Sequence, residues 1–385
     1  MSTPALPARA EVDLDAIRSN VSALAQRAGS AEVMAVVKAD AYGHGLVPSA
    51  LAAVRGGATW LGVAQLPEAL ALRRALADAG VQVPVLSWLH VPGQDFTAAV
   101  TEGVDLGIAS SWALDQALAA AATTGTSARI HVKVDTGLGR NGAWDADLEA
   151  LLTAVAKAQA EGAIEVVGLF SHFAYADAPQ HPTVRAQQER FDGIITQFEQ
   201  AGVRPQVRHL ANSAATLTNP SAHYDLVRPG VSVYGLSPVP DLGAPEDFGL
   251  REAMRLVANL ALVKDSPAGQ GISYGHTYTT STDTRLGLVP MGYADGIPRH
   301  ASNAGPVQVH GQRYAVAGRV CMDQFVLDLG AESTAAAGDE AVLFGVGADG
   351  EPTAQDWAVA AGTINYEVVT RLGARVPRVY VGADA

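Results

Sequence analysis

From about Glu32 to Gly235 the chain alternates two hydrophobic patterns. Short runs dense in Val, Ile and Leu give way to stretches in which Leu and Ala return every three or four residues. The runs are VMAVVKA, WLGVA, VPVLSW, VDLGIA, RIHVKVD, EVVGLFSHF, VRHLANS and DLVRPGVSV. Such continuous apolarity is what strands buried on both faces of a parallel sheet require. The stretches between them, such as PEALALRRALADAG and DADLEALLTAVAKAQAEG, keep helical spacing and often stop at Gly. Eight strand–helix units in about two hundred residues are the size of a (β/α)8 TIM-like barrel. A doubly wound sheet is the alternative, but no G-x-G-x-x-G follows the first run.

After about Pro240 the texture changes. SPVPDLGAPEDFG reads as a linker, and longer strand-like runs follow: ANLALVKDS, TRLGLVPMGYADG, PVQVHGQRYAVAGRV and DEAVLFGVG. One helical stretch is predicted around TAQDWAVAAGTINYEVVTRL. The expectation is an α/β barrel over 10–240 and a mostly-β domain over 241–385. A chain of 385 residues accommodates both, at roughly 100–200 residues per domain. With 48% apolar and 17% charged residues it can bury a large core.

Charge narrows the partners. Against 39 acidic residues stand 26 Lys and Arg, a net −13, with no basic run. Nucleic acid and anionic membrane are poor partners for such a surface. The opening MSTPALPARAEVDLD lacks the basic and apolar regions of a signal peptide. No apolar stretch reaches the ~18–20 residues of a membrane span. The one cysteine, Cys321, cannot form an internal disulfide, which fits a reducing compartment. A soluble, cytoplasmic protein is expected.

In a parallel barrel the chemistry sits where the strands end. Those ends carry Lys38, Trp88, Lys133 with Arg140 beyond it, His172, Asn212 and Ser213, and Arg228. No metal-ligand set emerges from the His and carboxylate positions, and no G-x-S-x-G elbow is present. Lys38 closes an apolar run. A lone strand-end lysine usually reaches solvent, but a desolvated one is a nucleophile able to condense with an aldehyde. Asn212-Ser213 and Gly230-Val231 end the seventh and eighth runs, where barrels commonly bind phosphate. An amine and a phosphate cradle on one rim suggest pyridoxal phosphate (PLP).

AVVKADAYGHG resembles the PLP-lysine motif of alanine racemases. The resemblance continues through HVKVDTGLGRNG, SHFAYAD, HLANSAA, VRPGVSVYG, GISYGHTYT, MGYADG, GRVCMDQ and INYEV. It implies a PLP-binding barrel and a C-terminal β domain against which residues 1–12 pack. It further implies a head-to-tail homodimer with shared active sites that interconverts L- and D-alanine for peptidoglycan.

By that resemblance Lys38 holds PLP and is the base on the D face of the substrate, and Tyr274 from the partner is the base on the other. Arg228 faces the pyridine nitrogen, where a guanidinium, always protonated, donates and leaves the ring a weaker electron sink. The bland alternative is an Arg228–Asp225 ion pair. Tyr42, Asn212, Ser213, Gly230, Val231 and Tyr366 surround the phosphate. His172 and His209 extend hydrogen bonds around Arg228. Arg140 and the partner's Met322 N–H hold the substrate carboxylate, and Lys133 corresponds to a lysine often carbamylated. Tyr293 and Tyr366 form an inner gate favouring a methyl side chain, with Asp177, Arg299, Arg319 and Ile364 further out. Asp323 and Cys321 line the wall beside Met322.

Three rivals share parts of this pattern. A broader racemase would often carry cysteine pairs or a replaced gate tyrosine. A barrel-fold PLP decarboxylase would lack the Tyr274 segment and place an acid at Arg228. A non-catalytic PLP-binding protein would lack the C-terminal domain.

Overall fold

The computed structural model describes residues 6–383. Strand β1 (Ala8–Asp13) leads into a helix over Leu14–Ala28. The helix starts where the Asp13 carboxylate accepts from the Ala16 N–H at 2.9 Å, satisfying one of the free amides of a first turn. Eight further strands follow, one from each apolar run. They are β2 (Glu32–Val36), β3 (Trp60–Gln65), β4 (Val85–Leu89), β5 (Asp105–Ile108), β6 (Ala128–Lys133), β7 (Ile164–Phe170), β8 (Val207–His209) and β9 (Leu226–Val227). Each pairs in parallel with the strand before it up to β8, and β9 pairs with β2. The Asp225 N–H donates to the Arg208 carbonyl at 3.1 Å, and the Arg228 N–H to the Ala211 carbonyl at 2.9 Å, which joins β8 to β9. The ring is closed, so the doubly wound alternative, with two free edges, falls away.

The barrel interior is filled by alternating sizes. A Cβ built on Gly62 of β3 would lie 2.8 Å from both Met34 and Trp88. One on Gly107 of β5 would lie 2.8 Å from Trp88, and one on Gly168 of β7 would lie 2.0 Å from the His131 ring. Glycine on odd-numbered strands thus admits large side chains from β2, β4 and β6, the way tapered barrels fill their centre. The β6–β7 register also shifts between Ile130 and His131.

The rest of the chain builds a second sheet. Its strands are β10 (Met254–Asn259), β11 (Leu262–Ser266), β14 (Thr284–Val289), β15 (Pro306–Val309), β16 (Gln312–Ala317), β17 (Phe325–Asp328), β18 (Glu340–Phe344) and β19 (Arg378–Val381), with β12 (Gly271–Ile272) and β13 (Tyr278–Thr279) as a separate hairpin. The order is β11-β14-β17-β16-β15-β18-β10-β1-β19, so the first strand of the chain lies in the C-terminal sheet. Residues 1–5 lie outside the described residues.

Two sequence expectations are refined. ANLALVKDS forms two strands, because after Asn259 the chain leaves β18, with Leu260 and Ala261 donating to Asp339 and Leu288 carbonyls on its way to β14. The C-terminal helical stretch is two helices, Ala354–Ala361 and Asn365–Thr370. Gly362 breaks it with a left-handed cap at φ 66°, ψ 41°.

Gly168→Ala is expected to destabilise the chain by about 1–3 kcal/mol in urea unfolding, the usual cost of overpacking. Gly193→Ala, in the helix Pro182–Gln200 with nothing within 4 Å of the new Cβ, is expected to cost nothing or to stabilise by up to about 1 kcal/mol.

Candidate active site

Lys38 stands just beyond β2, and the four residues after it turn the wrong way. Ala39, Asp40, Ala41 and Tyr42 have φ between 53° and 55°. Each non-glycine residue in that region costs about 1–2 kcal/mol. The turn is held from outside: Glu68 accepts from the Ala39 N–H and Asp40 from the Leu46 N–H, both at 2.7 Å. Reversing the backbone there places Lys38 and Tyr42 on the same cavity. Strain of this kind clusters at functional sites, where the surroundings over-determine it.

That cavity, about 220 Å³, opens at the C-terminal end of the barrel. Lys38 from the end of β2, Lys133 and Arg140 from the end of β6 and the loop beyond it, and Arg228 from the end of β9 enter it, with Tyr42, His172 and Tyr366. Asn212, Ser213, Gly230 and Val231 close the side formed after β8 and β9. The Ser213 hydroxyl accepts from the Gly230 N–H at 2.7 Å, and Asn212 caps the helix Ser213–Thr218 by accepting from the Ala215 N–H at 3.1 Å. A Cβ on Gly230 would lie 2.3 Å from the Tyr42 hydroxyl, so the backbone approaches this wall closely.

Among the described residues, four cations and no carboxylate line the cavity. Burial, then Arg140 and Arg228, holds the Lys38 amine below the usual lysine range, with Glu68 opposing. Burial, then Arg228, Arg140 and Lys38, brings Lys133 down to about 8, with Asp135 opposing. Burial lowers Arg228 to about 9, which still leaves it charged at neutral pH. His172 is held well below its ordinary value by burial and then by Arg228, Arg140, Lys133 and Lys38. The site is prepared for anions.

Arg228 is the best-anchored of these groups. It donates through Nη2 to the Ser171 carbonyl at 2.7 Å and, more weakly, to His172 Nδ1 at 3.4 Å, and through Nη1 to His209 Nδ1 at 3.2 Å. Asp225 is not its partner: that carboxylate bonds Arg208 at 2.6 Å. His209 lies behind Arg228, fully buried and stacked on Phe170 at 4.8 Å. The pattern of types did not single out Phe170, though it ends β7 two residues before His172.

A second cluster forms on the C-terminal sheet. The Tyr293 and Ala294 N–H groups donate to the carbonyls of Cys321 and Met322 at 3.0 Å, and the Ser273 hydroxyl donates to the Arg319 carbonyl at 2.7 Å. Tyr274, Met322, Tyr293 and Asp323 therefore lie on neighbouring loops, yet none lines the barrel cavity. Tyr274 is 72% exposed and Met322 53%. Asp323 pairs with Arg375 at 2.7 Å. Of the two expected gate tyrosines only Tyr366 reaches the cavity, its ring 6.3 Å from that of Tyr42.

The family model of the alanine racemase N-terminal domain matches residues 12–238, and that of the C-terminal domain residues 253–380. The chain belongs to the alanine racemase family. It is 61% identical over 372 residues to the alanine racemase of Frankia casuarinae, covering 97% of this chain and 96% of that one. Its fold is similar to the crystal structure of alanine racemase from the D-cycloserine producer Streptomyces lavendulae, with a TM-score of 0.96 and 55% identity over 99% of this chain and 98% of that one. The Bacillus anthracis alanine racemase, solved with bound L-Ala-P, gives 0.90 at 34% identity over 100% and 97%. The chain is thus an enzyme of the racemase class, and the barrel-plus-β expectation holds. Among the described residues no helix is long and apolar enough to cross a membrane.

The cation cluster has a stability consequence. Lys133 has a folded pKa of about 8 against 10.5, so burying its charged form costs stability below pH 8. That cost fades as pH rises from 8 to 10.5, where only the unfolded chain still holds the proton. Lys133→Met is expected to stabilise the ligand-free chain by on the order of 1–3 kcal/mol at pH 7. The gain should shrink as pH rises from 8 to 10.5 when thermal unfolding is followed across that range.

Proposed function

We propose that this enzyme interconverts L- and D-alanine with PLP as cofactor, works as a head-to-tail homodimer, and supplies D-alanine for peptidoglycan in the cytoplasm. We place the boundary between its barrel and β domain near residue 240. The observation that carries the reading is the cavity of four cations and no carboxylate around the Lys38 amine. Those residues fit the cofactor. Lys38 suits its aldehyde, the close Gly230–Tyr42 wall suits a phosphate, and the excess positive charge suits that phosphate together with an amino-acid carboxylate.

Bound at Lys38, PLP draws electron density away from the substrate Cα and makes its proton removable. The residues of the chain do the rest. Tyr42, Asn212, Ser213, Gly230, Val231 and Tyr366 hold the phosphate. Arg228, charged and anchored by neutral acceptors, would offer the ring nitrogen a donor and so leave it unprotonated. Arg140 and the N–H of the partner subunit's Met322 take the carboxylate. Lys133, with an amine near pH 8, adds to carbon dioxide as its neutral form and releases a proton, becoming an anion that steadies Arg140. Lys38, its pKa lowered, moves the Cα proton on one face.

Tyr274 of the partner subunit moves the proton on the other face, and the exposure of Tyr274 away from its own cavity supports that sharing. A racemase needs both, since one group takes the proton while the other returns it. His172, accepting from Arg228 at Nδ1, carries its proton on Nε2, the edge we assign to that tyrosine. His209 supports Arg228 from behind and Asp323 holds the Met322 loop. Tyr366 and, by the same sharing, Tyr293 of the partner subunit narrow the approach to methyl-sized substrates, and Asp177, Arg299, Arg319 and Ile364 line the outer corridor.

The test is subunit complementation. Tyr274→Phe and Lys38→Ala chains are each expected to lose on the order of 10²–10⁴ in rate, while a mixture regains partial activity from the one intact site of a mixed dimer. Borohydride reduction and peptide mapping of the wild-type enzyme should place the pyridoxyl label on Lys38. Full racemisation by Tyr274→Phe, no recovery despite demonstrated subunit exchange, or a label on another lysine would each overturn the assignment.

A further inference from the structure

Behind Arg228 a line of buried polar groups runs through the barrel from its mouth to its floor. His209 Nε2 meets His131 Nδ1 at 2.9 Å, and His131 Nε2 meets Asp105 Oδ2 at 3.3 Å. His209, His131 and Asp105 are each 0% exposed. Asp105 is the first residue of β5, at the end of the barrel opposite Arg228. There Arg129 donates to Asp105 Oδ1 at 2.6 Å and Oδ2 at 3.3 Å, and to Glu165 at 3.1 Å.

The direction of every hydrogen bond in this line follows from its two ends. A guanidinium has donors only, so His209 must accept at Nδ1 and carry its proton on Nε2. That N–H donates to His131 Nδ1, so the His131 proton sits on Nε2 and is received by the Asp105 carboxylate. Neither ring can be doubly protonated without setting two N–H groups against each other. Holding such a line in a barrel core is costly where aliphatic packing would do. The fold nevertheless makes room for it, with Gly168 leaving the space of the His131 ring and the β6–β7 register shifting at that residue.

We propose that Asp105 is a positioning residue for Arg228: by fixing the tautomers of His131 and His209 it keeps an acceptor, and never a donor, facing the guanidinium at the far end of the barrel. A carboxylate that locks a histidine tautomer in this way acts on catalysis without touching the substrate. The proposal rests on the reading of Arg228 as the group facing the cofactor ring. Asp105→Asn tests it, because both oxygens of Asp105 accept while an amide offers one acceptor. Its NH2 must face either His131 or Arg129, upsetting the order of protons or its anchor.

The experiment labels histidine with 15N, assigns the ring tautomers by NMR in the ligand-free and PLP-loaded enzyme, and measures kcat and KM for alanine. Wild type is expected to carry both protons on Nε2. Asp105→Asn is expected to move or mix the His131 and His209 tautomers and to lower kcat on the order of 10–100-fold. Its KM should stay within about threefold. Glu165→Gln, which alters the same floor outside the line, should change neither readout. A wild-type His209 protonated at Nδ1 would overturn the proposal even if the variant fails to fold. So would Asp105→Asn with unchanged tautomers and kcat, or a loss matched by Glu165→Gln. The tautomers are read without cofactor, so failure of the PLP reading would show separately as wild-type enzyme that takes up no PLP.

Discussion

A charged guanidinium buried at a barrel mouth is tolerable only if acceptors meet its N–H groups, and the centre of this molecule meets that constraint with neutral ones. Arg228 donates to the Ser171 carbonyl and to the Nδ1 atoms of His172 and His209. Among the described residues no carboxylate pairs with it, so its charge stays available to the cavity. Were Asp225 its partner, its field in the cavity would largely cancel; instead Asp225 is committed to Arg208 on the barrel floor. Both histidines are kept neutral by burial and by Arg228, which is what allows them to accept.

The packing of the barrel follows from making that arrangement fit. Glycines on β3, β5 and β7 yield space to Met34, Trp88 and His131 from the strands between them. The same economy appears at Lys38, where four residues held at positive φ turn the chain back on the cavity. Neither feature lowers the energy of the isolated segment. Each persists because bonds from distant residues, such as Glu68 to Ala39, over-determine the local conformation.

Excess positive charge in the cavity costs the chain stability and readies the site for anions, the familiar trade between stability and function. The Tyr274–Met322 cluster on the second sheet shows a complementary incompleteness. Its loops are braced by backbone hydrogen bonds, yet Tyr274 and Met322 are exposed and neither lines the barrel cavity.

Much of this was legible in the sequence. Eight doubly buried runs separated by helical repeats pointed to a parallel α/β sheet of barrel size, with a doubly wound sheet as the alternative, because strand apolarity and helix periodicity are local properties of the chain. The residues at strand ends, from Lys38 to Arg228, followed from the rule that a parallel barrel works at its C-terminal rim. Closure of the ring was not local: it depends on Asp225 and Arg228 bonding Arg208 and Ala211. Nor could spacing show that ANLALVKDS serves two neighbours, or that Tyr293 and Tyr366, both expected at one gate, stand apart within a chain. His131 and Asp105 looked like ordinary strand residues, since nothing in RIHVKVD or VDLGIA says which side chains face inward beside a glycine. Only the tertiary structure decided that they meet His209 behind Arg228, because a hydrogen bond between β5, β6 and β8 depends on barrel register, which local patterns do not encode.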